Sequence, residues 1–194
     1  YVMPKVLASY QREHPGIQLD LMMGNRNTIW DAILDGNIDI GIMGTPPEDT
    51  NIQSEVIGIH RLIFVAHPNH PLCQLDRELT PKELIKHQLI AREVGSGTRL
   101  AMAAYFGALF HQATRPPIVL DTNEGIKQSI LAGIGISLLS DATCELELNH
   151  GLLKTLPVEG TPLDRQWYAV RLANLERNPA EQSLLRFLVM QAER

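Results

Sequence analysis

Residues 17–44, IQLDLMMGNRNTIWDAILDGNIDIGIMG, constrain the fold more than any other stretch of the chain. Residues 17–23 alternate apolar and polar side chains and then run apolar, the pattern of a half-buried to buried strand. Gly24 and Asn25 interrupt it, and Asn27 or Thr28 is placed to cap a following helix. Ile29, Trp30, Ile33 and Leu34 then recur at helical spacing on one face. Gly36 supplies a stop, and Ile38-Asp39-Ile40-Gly41-Ile42 reads as a second short strand. Two strands joined by one helix are expected to lie parallel, with a right-handed crossover. Sheets built this way offer ligands the loops beyond the carboxyl ends of their strands. Those loops are residues 24–28 and 44–47.

The same plan recurs downstream. Residues 88–91 read as a strand, and Gly95-Ser96-Gly97-Thr98-Arg99 opens a long helix with Leu100, Ala103, Ala104, Gly107, Ala108 and Phe110 inward. Residues 117–120 form a strand, Asp121-Thr122-Asn123-Glu124 starts a helix with Ile126, Ile130 and Leu131 inward, and Gly133-Ile134-Gly135 turns into a strand at 136–139. Leu62-Ile63-Phe64-Val65-Ala66 is a buried strand, and Thr80-Pro81-Lys82-Glu83 starts a short helix. Residues 151–160 read as a crossing or edge segment. Residues 165–172 alternate as a strand, Trp167 and Ala169 on one side, Gln166 and Tyr168 on the other. Asn178-Pro179 caps a last helix with Leu184, Leu185, Leu188 and Val189 inward. Near the amino terminus, Pro4, Val6, Leu7 and Tyr10 describe a helix closed by His14-Pro15-Gly16. A helix this early leaves no strand ahead of it, so a strand upstream of Tyr1 is expected. Two α/β units predict two lobes, the chain crossing near residues 66–70 and returning near 160–166.

The four polar loops at predicted strand ends are 24–28, 44–47, 93–98 and 121–124, and three of them open helices. Free backbone N–H groups at those helix starts favour anions. Asn25, Arg26, Asn27, Thr28, Thr45, Ser96, Thr98, Arg99, Thr122 and Asn123 add side-chain donors, a set suited to a carboxylate or phosphate. Thr28, Ser96, Thr98 and Asn123 each also have a plainer reading as helix caps. In GSGTR two glycines let backbone approach a ligand closely. No lysine follows at P-loop spacing, and Gly133-Ile134-Gly135 lacks the third glycine of a dinucleotide fingerprint. His67, His70 and Cys73 precede no second cluster that would complete a metal site, and no nucleophile elbow surrounds a serine. Met22, Met23 and Met43 are expected in the core. A formal net charge of −5 supplies no basic stripe for nucleic acid. Two cysteines, Cys73 and Cys144, favour a reducing cytoplasm, and neither a signal peptide nor a long membrane-spanning apolar run is visible.

The segments YVMPKVLASYQREHPGIQL, GNRNTIWDAILDGNIDIGIMGTPP, HPLCQLDRELTPKELIKHQLIAREVGSGTR and TNEGIKQSILAGIGISLLS, in this order, resemble the effector-binding domain of LysR-type transcriptional regulators. The resemblance covers essentially the whole chain. GNR followed by IMGTPP is similar to the branch that controls RuBisCO and carbon-fixation operons. The resemblance implies an α/β fold of two Rossmann-like lobes of the type 2 periplasmic-binding-protein kind, joined by two crossing strands. Lobe I would be residues 1–66 plus 164–194, lacking its first strand, and lobe II residues 67–163. A small anionic metabolite would bind between the lobes, with phosphorylated sugars, phosphoglycolate and 2-oxoglutarate as candidates. Its contacts on this chain would be Asn25, Arg26, Gly44, Thr45, Ser96, Gly97, Thr98, Asp121, Thr122 and Asn123, with a further loop before Tyr1. The resemblance further implies a homodimer or homotetramer and an upstream winged helix-turn-helix domain holding promoter DNA. RNA polymerase would be a partner of the whole regulator; no enzyme activity, cofactor, metal or membrane is implied. Two other functions fit a two-lobe fold: a transporter's solute-binding protein, and an enzyme, for which Glu93, Asp121 and Glu124 are the only acids in these loops.

Overall fold

The computed structural model describes residues 1–48, 51–174 and 178–192, residues 191 and 192 by backbone alone. In chain order the elements are α1 (Met3–Glu13), α2 (Arg26–Leu34), β1 (Gly41–Met43), β2 (Ile52–Ala66), α3 (Pro81–Leu84), β3 (Ile90–Arg92) and α4 (Gly97–Phe106). There follow β4 (Ile118–Leu120), α5 (Asn123–Leu131), β5 (Ser137–Ser140), α6 (Asp141–Asn149), β6 (Lys154–Thr155), β7 (Leu163–Leu172) and α7 (Pro179–Ala192). The chain divides into two compact units, Tyr1–Ile59 with Arg165–Arg194, and His60–Asp164. It passes from one to the other within β2 and returns within β7. Among the described residues no helix is long and apolar enough to cross a membrane.

In the first unit β1 pairs antiparallel with β7, Gly41 opposite Val170 and Met43 opposite Tyr168. The two-residue alternation of β7 separates two cores. Val170, Tyr168 and Leu172 pack with Ile29 and Ile33 of α2 and with Met43. Ala169 and Trp167 face the other way, onto Leu185 and Leu188 of α7 and Met3 and Val6 of α1. Beneath α7, the Arg171 guanidinium donates to Glu181 Oε1 at 2.6 Å and to Gln53 Oε1 at 2.9 Å, an ion pair out of reach of water.

Four sequence expectations fail in this unit: the strand at 17–23, Met22 and Met23 as core, a parallel strand at 38–42, and Leu34 facing inward. Residues 17–25 form no strand, and Leu21, Met22 and Met23 are 51%, 45% and 76% exposed, so Met22 and Met23 are not core while Met43 is. Alternation gives a segment two faces, but a strand exists only when a neighbouring strand takes its backbone hydrogen bonds. Among the described residues none pairs with 17–25, whose backbone bonds are those of a turn at Ile17 and of the start of α2 at Asn25. The expected parallel partner at 38–42 is instead β1, shifted toward Met43 and antiparallel to β7. Loop 24–28 therefore opens a helix without following a strand. Leu34 is half exposed, and Ala32 takes the inward place beside Ile33.

In the second unit β3 and β4 run parallel, Ile90 opposite Ile118 and Arg92 opposite Leu120. Leu89 makes a parallel bridge to Ile136 just before β5. β5 pairs antiparallel with β2 from Leu62–Ser140 to Val65–Ser137, and β6 closes on Val65 and Ala66. One face of this sheet buries Phe64, Leu89, Ala91 and Leu138 against Met102 and Phe106 of α4. The other buries Ile63, Val65, Ile90 and Leu139 against Ile126 and Ile130 of α5 and Cys144 of α6. The inward stripe of α4 is Ala101, Met102 and Phe106, continuing to Phe110. Leu100, Ala104, Gly107 and Ala108, expected inward, are exposed, because the bulkiest side chains set the face that packs.

Gly133 and Gly135 carry the turn from α5 to β5 for different reasons. Gly133 takes φ +75°, a conformation that L side chains rarely adopt. Gly135 lies so close to the Gln88 carbonyl that a β-carbon there would collide with it, and Gln88 O is also the acceptor for Ile136 N–H at 3.0 Å. Gly135→Ala should therefore cost about 2–3 kcal/mol, as overpacking against rigid backbone does, and lower the melting temperature by roughly 4–12 °C; urea or thermal unfolding measures both.

Sequence and structure agree at the start of α3. The Glu83 carboxylate accepts from Thr80 N–H and Thr80 Oγ1, each at 2.9 Å, and pairs with both ends of the Arg77 guanidinium. These contacts, the Arg77 hydrogen bond foremost, hold its pKa down at about 2. A carboxylate depressed on folding stabilises the protein above its unfolded pKa, and that contribution is lost as pH falls through the folded value. The stability advantage of the wild type over Glu83→Gln should be full at neutral pH, shrink from about pH 4.5 and vanish near pH 2, as unfolding curves across that range will register.

Candidate functional site

In the first unit the candidate residues gather on Thr45. Asn25, not Asn27 or Thr28, is the N-cap of α2; its Oδ1 accepts from Thr28 N–H at 3.0 Å and from Thr28 Oγ1 at 3.1 Å. That cap fixes the first turn, so Arg26 reaches back to β1, and its Nε donates to the Thr45 carbonyl at 2.8 Å. Gly44 and Thr45 follow β1 directly, and the Thr45 hydroxyl accepts from Arg165 Nη2 at 2.9 Å. Arg165 is not among the residues to which the sequence points. It stands 120 residues from Thr45, and only the β1–β7 ladder brings the two together.

In the second unit the parallel register decides the geometry. β3 and β4 end together, so the loops entering α4 and α5 leave the sheet side by side, and Glu93 N–H bonds the Leu120 carbonyl at 3.1 Å. Ser96 is the N-cap residue of α4 and is only 3% exposed, yet its hydroxyl makes no capping bond. Neither the Ser96 nor the Thr98 hydroxyl has a hydrogen-bond partner among the described residues. Gly97, first in the helix, meets no atom within 4 Å of where a β-carbon would stand, so ligand atoms have free approach there. Thr122 caps α5, its Oγ1 accepting from Gly125 N–H at 3.0 Å. Asn123 Oδ1 accepts from Arg92 Nη1 at 2.6 Å, and Asp121 lies exposed in front of it.

Two further arginines belong to this edge. Arg92 makes a bidentate pair with Glu93, at 2.7 and 3.0 Å, as well as its bond to Asn123. Arg99 lays its guanidinium over the Phe110 ring, 4.9 Å from the centroid, and donates to the Arg92 carbonyl at 3.4 Å. Arg92 is thus neutralised by its neighbour, and the uncommitted donors are the hydroxyls and N–H groups at the start of α4. Asp121 is an acceptor and suits a ligand hydroxyl better than an anionic group.

The remaining chemistry-bearing groups are spent on structure. His67 Nδ1 accepts from Asn69 N–H at 3.1 Å and His70 Nδ1 from Leu72 N–H at 3.3 Å, both holding turns. Among the described residues no three His, Cys, Asp or Glu side chains are grouped to hold a metal ion. Burial first, and Glu147 second, pushes the Cys144 thiol up to about 12, far from a thiolate at neutral pH.

These side-chain assignments separate capping from ligand contact. Thr122→Ala should lose about 1 kcal/mol of stability with its cap, whereas Ser96→Ala, which removes no capping bond, should stay within about 0.5 kcal/mol of wild type. Equal losses in urea denaturation would show that Ser96 is a cap after all.

A family profile described as LysR substrate binding domain matches residues 1–193. The chain is 40% identical over 190 residues to the HTH-type transcriptional regulator CbbR of Xanthobacter flavus, covering 97% of this chain and 56% of that protein. It is 36% identical over 191 residues to the RuBisCO operon transcriptional regulator of Acidithiobacillus ferrooxidans, covering 97% of this chain and 60% of that one. It therefore spans less than two thirds of the length of these relatives. Among solved structures, the Synechocystis PCC6803 CcmR regulatory domain in complex with 2-PG superposes with a TM-score of 0.87 at 31% identity, covering 100% of this chain and 92% of that one. A reduced form of OxyR from N. meningitidis superposes at 0.83 with 22% identity, covering 98% and 89%, a likeness of fold.

Proposed function

Since the chain belongs to the LysR substrate binding domain family, with the α/β fold of type 2 periplasmic-binding-protein kind, we propose that it senses a small anionic metabolite. In the longer regulator it controls transcription, carbon-fixation genes among its targets. The observation that carries this reading is the entrance to α4. There Ser96 is buried without capping, Thr98 is uncommitted and Gly97 leaves the backbone open to a ligand. A hydroxyl with no protein partner can both donate to and accept from a ligand, and two of them beside open backbone favour a ligand rich in oxygen.

In this reading Asn25, Arg26, Gly44 and Thr45 on the first unit and Ser96, Gly97, Thr98, Asp121, Thr122 and Asn123 on the second supply the contacts. Asp121 serves a hydroxyl and the others the anionic groups. Two of the relatives are named CbbR and RuBisCO operon transcriptional regulator, and the CcmR domain is solved with 2-PG. These support phosphorylated two- and three-carbon acids, with sugar phosphates and 2-oxoglutarate beside them, as the metabolites to test. The regulator works in the cytoplasm as a homodimer or homotetramer. It reaches promoter DNA through a winged helix-turn-helix domain and contacts RNA polymerase. It carries no catalysis and needs no cofactor or metal. The metabolite acts only through the difference in its affinity for two arrangements of the protein.

A thermal-shift panel of these metabolites tests the reading. An effector at about a hundred times its dissociation constant adds roughly 2.7 kcal/mol, equivalent to a rise of about 5–10 °C for a domain of this size. One compound should give that rise in the wild type and lose most of it in Ser96→Ala and Thr98→Ala. A panel with no shift, or a shift indifferent to both substitutions, overturns the assignment.

A further inference from the structure

We propose that Arg165 is a second cation of the effector site, and that Arg26, Thr45 and Arg165 form a seat for a dianionic phosphate group. This deepens the effector reading above and rests on it. Arg171 meets Glu181 at 2.6 Å, Lys127 meets Glu147 at 2.7 Å, Arg92 meets Glu93 at 2.7 Å, and even the exposed Arg61 meets Asp164 at 3.2 Å. A cation withdrawn from water is costly unless it is compensated; an acid does this for these four, and the Phe110 ring covers the half-buried Arg99. Arg26 and Arg165 are half-buried too, yet both bond to the same threonine, one to its carbonyl and one to its hydroxyl. Neither has a carboxylate partner among the described residues.

Each guanidinium carries five N–H donors in a fixed plane, and the contacts to Thr45 use one of each. Thr45 orients the two groups without neutralising either. Two such groups with donors to spare match an anion of charge near −2 with three acceptor oxygens, which is a phosphate monoester. A carboxylate supplies half that charge and two oxygens. The first turn of α2 adds to the attraction, since Arg26 opens that helix and its early N–H groups point out of the positive end of the macrodipole. The ladder that ends at Met43 and Tyr168 makes the seat, by carrying Arg165 to within reach of a residue two places past β1.

Calorimetric titration of the whole chain with inorganic phosphate, and separately with acetate, tests the seat. Wild type should bind phosphate at least about tenfold tighter than acetate. Arg165→Gln should lower phosphate affinity by about tenfold or more, and Arg165→Lys should recover only part of it, because an ammonium is a point charge without the planar fork. Arg26→Gln reads the same seat with Arg165 intact, should either Arg165 variant fail to fold. Equal phosphate affinity in wild type and Arg165→Gln, acetate bound as well as phosphate, or no phosphate heat in folded wild type each overturns the seat. A metabolite shift that depends on Ser96 and Thr98, found together with no phosphate heat, would overturn the seat and leave the effector reading in place. Phosphate binding lost in Arg165→Gln, found with no metabolite shift, would do the reverse.

Discussion

The parallel register of β3 with β4 is the constraint on which the second unit depends. Arg92 opposite Leu120 means that both strands end at one level, and each then turns straight into a helix. The loops entering α4 and α5 therefore leave the sheet side by side, tied by the bond from Glu93 N–H to the Leu120 carbonyl. Asn123 comes within reach of Arg92 for the same reason. A slip of one residue would turn each strand's inward side chains outward, and both Ile90 and Ala91 are fully buried, on opposite faces. The third member of the set, β5, is admitted only because Gly135 presents no side chain to the Gln88 carbonyl. The edge that carries the candidate contacts is thus built by backbone pairing and one missing β-carbon, before any polar side chain is counted.

Charge is distributed over the molecule with the same economy. The net charge of −5 gives no sign of an anion-binding protein, since net charge governs solubility and long-range attraction rather than what a site holds. What matters is which cations lack an acid nearby. The buried pairs Arg171–Glu181 and Lys127–Glu147 fasten helices in place. Arg92 is held by Glu93 and so organises Asn123 without offering net charge of its own. The two arginines at Thr45 stand apart from this scheme. Of the half-buried arginines without a carboxylate partner among the described residues, Arg99 is covered by the Phe110 ring, whereas Arg26 and Arg165 meet only the carbonyl and the hydroxyl of Thr45, an arrangement that supports the phosphate seat proposed above.

What the sequence disclosed follows the range of the forces involved. The starts of α3, α5 and α7 were legible because Glu83 with Thr80, Thr122 with Gly125 and Asn178 with Glu181 lie within three residues of one another. The strands at 62–66 and 118–120 were legible because they are apolar runs bounded by turn residues. The expected strand at 17–23 was a misreading of alternation as pairing. The stripe of α4 went wrong because alanine and glycine pack on either face, and the positions of Met102 and Phe106 had to be known first. Among the site residues, Ser96 and Thr98 were read from a local motif, GSGTR, and the resemblance to a family supplied the order of loops. Arg165 carries no local mark. It sits in an alternating strand among other polar residues, and a contact across 120 residues leaves no trace in spacing.

The position of Arg165 also bears on how a bound anion would be felt. Asp164 and Arg165 are consecutive in β7, so their side chains leave the strand on opposite sides. The chain returns from the second unit to the first between them. Asp164 is tied to Arg61 within the second unit, and Arg165 to Thr45 within the first. A group that draws Arg165 toward itself therefore acts on the residue where the chain changes units, one peptide from an ion pair belonging to the other. Binding energy spent there can favour one arrangement of β7 over another, whereas the same energy spent on an exposed loop would only hold the ligand. This is the physical difference between a pocket that stores a metabolite and one that reports it, because a ligand shifts an equilibrium only by the difference in its affinity for the two states.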